Sequence, residues 1–105
     1  MTTQTRVKVA KYSDLPVRNG VAITVGSEKI ALYKVTSGEV YAIADKSPHP
    51  KGGVLSEGLV SGHYVFCPVY DWKISLADGQ VQAPDQGQVK TYEVEIERDE
   101  VFLRL

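Results

Sequence analysis

One stretch of the chain, Ser47 to Tyr70 (SPHPKGGVLSEGLVSGHYVFCPVY), concentrates the side chains able to hold a metal or act as a nucleophile. It contains the single cysteine, Cys67, and both histidines, His49 and His63. Two short segments frame it, Ser47-Pro48-His49 and Cys67-Pro68-Val69-Tyr70. A zinc site needs three or four good ligands, and His49, His63 and Cys67 are the candidates. If His63 and Cys67 lie on one strand, its rise holds them about 13 Å apart, which argues against a shared ion. Cys67 and His49 make a conceivable nucleophile–base pair across facing loops, but no third group to orient the base is evident. The plainer expectations are a strand position for His63, a hydrogen-bonded or partner-contacting loop position for His49, and burial for Cys67 as a small apolar side chain.

The layout resembles the Rieske iron–sulfur motif, C-x-H followed by C-x-x-H across a spacer of this length. The prolines, the Gly52-Gly53 pair and Trp72 just beyond belong to the same resemblance. Ser47 stands where the first cysteine is expected and Tyr70 where the second histidine is expected. In a Rieske centre two cysteines hold one iron and two histidines the other. Keeping His49 and Cys67 leaves one natural protein ligand per iron. A serine hydroxyl is neither soft nor readily ionised, and a tyrosine binds iron as a phenolate, against an ordinary pKa of about 10. The expectation is a Rieske-like loop pair that keeps its shape and has lost its cluster, with no metal, cofactor or catalytic residue in this chain. Tyr70 then fills the volume of the missing imidazole, and Ser47 bonds backbone groups of the opposite loop. Pro48, Pro68, Gly52 and Gly53 set backbone shape, and Trp72 is core.

The elements that position these loops read as short strands. Val7 and Val9 alternate with Arg6 and Lys8, a half-buried strand pattern. Tyr12 to Pro16 breaks the strand, and Asn19-Gly20 signals a turn. Val21–Val25 and Lys29–Val35 are joined by a turn at Gly26-Ser27-Glu28, and Val40–Ile43 follows the turn Thr36–Glu39. Asp45–Leu55 is a loop, because Pro48 and Pro50 remove backbone donors and Gly52-Gly53 permits positive φ. Leu59-Val60, a turn at Ser61-Gly62 and His63–Cys67 make a tight hairpin. Pro68–Asp71 is a second loop, Trp72–Leu76 a strand, and Asp78-Gly79 a hairpin turn before Val81. Ala83–Gln88 is a polar connector. Val89–Glu97 alternates, and Arg98-Asp99-Glu100 turns the chain into Val101–Leu105. Glu93, Glu95 and Glu97 read as a solvated face of an exposed terminal strand. Nine or ten short strands at regular spacing predict an all-β sandwich or barrel, 1–105 as one domain, with a two-loop β-subdomain inserted at about 45–81.

Composition bounds the partners. The 105 residues suffice for one modest core. A formal charge of −1 gives no reason to propose nucleic acid or an anionic membrane. A single cysteine cannot form an internal disulfide, so the fold does not depend on an oxidising compartment. The polar N-terminus lacks the apolar centre of a signal peptide, and no apolar run approaches a membrane span. A cytoplasmic location is the expectation.

The Asp14-Leu15-Pro16 passage, VYAIADKSPHPKGGVLSEGLV and VFCPVYDWKISLADGQ are similar to the small subunits of NAD(P)H-dependent assimilatory nitrite reductases, a Rieske-fold family. The resemblance covers almost the whole chain and implies a degenerate ligand set of this kind. It also implies a large subunit carrying FAD, sirohaem and a [4Fe–4S] cluster, and reduction of nitrite to ammonia in nitrate assimilation. On that reading the chain is not catalytic alone and docks through Pro48, Pro50, Lys51, Val69, Tyr70 and Trp72. The alternatives are a Rieske-type [2Fe–2S] electron-transfer ferredoxin subunit, an unrelated small binding module, and a cofactorless enzyme using Cys67.

Overall fold

The computed structural model describes residues 6–46, 53–68, 71–83 and 85–104. Its central strand is the one whose sequence alternates least. Strand β3 (Glu28–Lys34) has four consecutive buried residues, Ile30, Ala31, Leu32 and Tyr33. Successive side chains of a strand point to opposite faces, so a continuous buried run requires cover on both. Ile30 and Leu32 pack with Leu15, Val40, Ala42, Val101 and Leu103 on one side. Ala31 and Tyr33 pack with Ile43, Leu55, Val65, Cys67 and Ile74 on the other. The chain therefore has two apolar cores separated by β3 and β4 (Val40–Ala44).

A six-stranded antiparallel sheet supplies the first core. Besides β3 and β4 it contains β1 (Arg6–Lys11) and β2 (Gly20–Val25) at its two edges. The order runs β1-β9-β8-β4-β3-β2 when β8 (Thr91–Glu97) and β9 (Glu100–Arg104) are included. Strand β8 links the halves: Thr91 and Tyr92 pair with β4, whereas Glu93–Glu97 pair with β9. A strand that passes from one neighbour to another in this way lets a sheet fold over its own core. The second core lies beneath a three-stranded sheet, β5 (Leu59–Ser61), β6 (Tyr64–Phe66) and β7 (Lys73–Ser75), in that order. An isolated bridge from Ile74 to Val81 continues it. The all-β expectation is borne out.

Two turns are one residue shorter than the sequence suggests and another is shifted by one, for a common reason. Two-residue hairpin loops need positive φ at the first central position, or at both. Gly26 (φ 61) and Gly62 (φ 58) occupy that first position. Glu28 therefore joins β3, paired with Val25, and Ser61 joins β5, paired with Tyr64. His63 moves out of the predicted strand into an exposed turn, at the opposite end of β6 from Cys67. In the third turn Arg98 (φ 51) and Asp99 (φ 65) both adopt the left-handed conformation, and Glu100 stays in β9, paired with Glu97.

The acidic face of β8 also needs correction. β8 is an interior strand of its sheet. The Glu95 carboxylate accepts from Arg104 Nε and lies 3.4 Å from Arg6 Nη1. Arg6 also reaches Glu97 at 3.1 Å and stacks over the Phe102 ring, 4.0 Å from its centroid. The acids thus belong to a cross-strand ladder spanning β1, β9 and β8. Solvation alone does not describe them.

Candidate functional site

The described residues that flank the two loops, Asp45 and Ser56 for the first and Cys67 and Trp72 for the second, are fixed by specific bonds. The first loop leaves β4 through Asp45. Its carboxylate accepts the Ser56 backbone N–H at 2.7 Å and the Ser56 hydroxyl at 2.8 Å. Ser56 lies in a short 3-10 turn, Leu55–Glu57. The Tyr33 hydroxyl, rising from β3 through the second core, donates to the Leu55 carbonyl at 2.5 Å. Burial, with the charges of Asp45 and Cys67 adding to it, pushes the Tyr33 phenol well above its ordinary pKa. It remains a donor at any pH the protein meets. Gly20 at the start of β2 lies so close to the Ser56 backbone that a Cβ would collide with it. Both ends of the first loop are thereby held against the main sheet.

The second loop is a continuation of the β6–β7 hairpin. Pairs Tyr64–Ser75, Val65–Ile74 and Phe66–Lys73 are followed by a bond from the Cys67 N–H to the Trp72 carbonyl, 2.9 Å. Four residues, 68–71, separate Cys67 from Trp72 in the chain. Asp71 takes the left-handed conformation there (φ 51), which aspartate tolerates better than most side chains. Cys67 has no solvent exposure and belongs to the second core, as expected. Trp72 is half-buried and packs against the same core. Of the other expected site residues, Ser47, Pro48, His49, Pro50, Lys51, Val69 and Tyr70 lie outside the described residues. His63 does not join the site; its ring lies against Tyr64, centroids 4.4 Å apart.

The donor set does not fit a [2Fe–2S] cluster. One thiol, one imidazole, one aliphatic hydroxyl and one phenol occupy the four motif positions. Two soft thiolates and two imidazoles are the normal requirement. Among the described residues no group of three or more His, Cys, Asp or Glu side chains is placed to hold a metal.

A feature at the loop base gave little signal in the sequence. Ala22, Ile23 and Thr24 of β2, with Ala44, Lys29 and Lys46, line a groove of about 790 Å³. Its residues come from distant segments, so spacing along the chain does not reveal it.

This fold, a six-stranded and a three-stranded antiparallel sheet over two cores, is that of a Rieske-type protein. Residues 5–104 match the Rieske-like [2Fe-2S] domain family, and the chain belongs to it. Within that family it is similar to nitrite reductase small subunits. The nitrite reductase (NADH) small subunit of Escherichia coli (strain K12) is 31% identical over 101 residues, covering 91% of this chain and 94% of that protein. The NMR structure of the E. coli protein NirD superposes with a TM-score of 0.85 at 29% identity, over 98% of each chain. The Sphingomonas yanoikuyae B1 ferredoxin gives a TM-score of 0.86 at 25% identity, over 96% of this chain and 99% of that one.

Proposed function

We propose that this chain is the small, redox-silent subunit of a nitrite reductase driven by reduced nicotinamide, and that it docks on a large catalytic chain. The observation that carries the reading is the end-to-end likeness to the E. coli small subunit, combined with a loop pair whose donors do not suit iron. The large chain supplies FAD, sirohaem and a [4Fe–4S] cluster for reducing nitrite to ammonia in the cytoplasm during nitrate assimilation. The small chain supplies a surface. Its exposed area is 6268 Å², so a standard footprint of about 800 Å² would use roughly one eighth of it. The loop bases fixed by Asp45–Ser56, Tyr33–Leu55 and Cys67–Trp72 keep the ordering cost of docking low.

The test is to express the large subunit with and without this chain and compare nitrite-dependent nicotinamide oxidation and thermal inactivation. The expected result is a loss of activity or stability when the chain is omitted. Equal values would remove the reading. Colourless, iron-free protein after anaerobic purification is expected, and stoichiometric iron and sulfide with visible absorption would favour the ferredoxin alternative.

A further inference from the structure

The two outer strands of the six-stranded sheet are built differently. β1 carries Arg6, Lys8 and Lys11, and its register shifts between Lys8 and Ala10. Cations and bulges are the usual means of stopping an edge from pairing with another chain. β2 has neither. Its sequence, GVAITV, contains no charge and no proline, and all six residues pair with β3 in unbroken register. In an antiparallel pair every second residue turns its N–H and C=O away from the partner strand. Among the described residues, no backbone bond from Gly20–Val25 runs to anything but β3. β2 is therefore a regular strand edge about 20 Å long, with no obstruction of the kind found on β1.

The groove begins at this edge strand and runs inward over β3 and β4 to Lys90 and Tyr92. Three β2 residues line it, and half-exposed Val54 adds apolar surface. The charges around it are three lysines (29, 46 and 90) against two acids (28 and 45), a net +1. Lys90 is paired with Glu28 at 3.0 Å, whereas Lys29 and Lys46 have no ion pair among the described residues. An unguarded edge provides main-chain pairing, and a groove that begins at it and has two uncommitted cations provides selection of side chains. We infer that β2 takes up an extended, carboxylate-bearing segment of the large partner chain as an added strand, a contact distinct from the loop tip. This rests on the accessory-subunit reading above and names the chemistry of the partner. A second copy of this chain pairing through the same edge is the competing occupant, and the oligomeric state of the chain alone decides against it or for it.

The test uses the full chain and the purified large catalytic subunit of the same host's nitrite reductase. Affinity is measured for wild type, a Lys29→Glu/Lys46→Glu variant and Ala22→Asp, all surface changes whose folding is checked by melting temperature. Lys11→Glu on the opposite edge serves as a matched charge control. The expected result is a loss of at least about tenfold in the first two variants and none in the control. The outward-facing amides of Gly20–Val25 should also exchange at least about tenfold more slowly in the wild-type complex. If wild type binds but the variants bind equally well, or the β2 amides gain no protection, the inference falls and the accessory-subunit reading stands. If wild type fails to bind the large subunit, both fall. A concentration-dependent dimer of the chain alone, abolished by Ala22→Asp, would assign the edge to self-pairing and overturn the inference.

Discussion

Replacing Tyr33 by Phe removes one atom from the junction between the main sheet and the first loop. Tyr33 is fully buried and its hydroxyl donates to the Leu55 carbonyl at 2.5 Å. That carbonyl also accepts the Gly58 N–H at 2.9 Å, so it keeps one partner in the variant. The expected cost is therefore that of one net hydrogen bond, about 1 kcal/mol, without a further penalty for an orphaned acceptor. For a chain of this size the melting temperature should fall by roughly 4–8 °C. A pH signature accompanies the loss. Burial raises the folded-state pKa of Tyr33 above that of the unfolded chain. Its contribution is therefore fully present below the unfolded value near 10 and is lost as pH rises toward the folded value. Wild-type stability should decline above about pH 10, with Tyr33 supplying up to about 1.4 kcal/mol per pH unit. The Phe variant should lose that part of the slope. Tyr41 and Tyr92, both raised chiefly by burial, leave a residual slope. Urea titrations at pH 7 and across pH 9.5–11 measure both effects. An unchanged midpoint at neutral pH, or a loss above about 3 kcal/mol, would refute the hydrogen-bond account of this junction. An identical alkaline slope would refute the burial account.

Gly79→Ala should destabilise by about 2 kcal/mol or more in thermal melts, because Gly79 has φ 76 and a Cβ there collides with the Val89 carbonyl. Gly26→Ala, at φ 61 with nothing within 4 Å, should cost only about 1 kcal/mol. Arg98→Gly should stabilise by up to about 1 kcal/mol by relieving a left-handed non-glycine residue. Asp99→Gly should gain less, since the Asp99 carboxylate accepts both the Ser13 N–H at 3.0 Å and its hydroxyl at 2.7 Å. The Glu95 carboxyl is held below its ordinary range by the hydrogen bond from Arg104, helped by Arg6. Its stabilisation is present above the unfolded value of about 4.3 and is lost as pH falls through the lower folded value. The stability gap between wild type and Glu95→Gln, measured by denaturation, should accordingly close in acid.

Much of the fold and loop chemistry was written locally, and local signals are what a sequence carries. Period-two alternation, β-branched runs and Gly/Asn/Asp turns gave the strands in the right order. The side chains at the four motif positions decide by their own chemistry whether iron is welcome, whatever the surroundings. The turn boundaries slip by one residue where the left-handed positions, and not the turn-forming residue types alone, set the pairing, as at Gly26-Ser27-Glu28, where Glu28 pairs with Val25.

Contacts between residues far apart in the chain came only with the tertiary structure. Whether β3 is buried on one face or two depends on where residues 55–76 fold back, and no feature of EKIALYK alone specifies that. The glutamates of β8 look solvated until β9 brings Arg104, and β1 brings Arg6, from the far ends of the chain. The guarded edge at β1 and the unguarded one at β2 became distinguishable only once strand order was known. Edge status belongs to the assembled sheet, because it is defined by which neighbours a strand lacks.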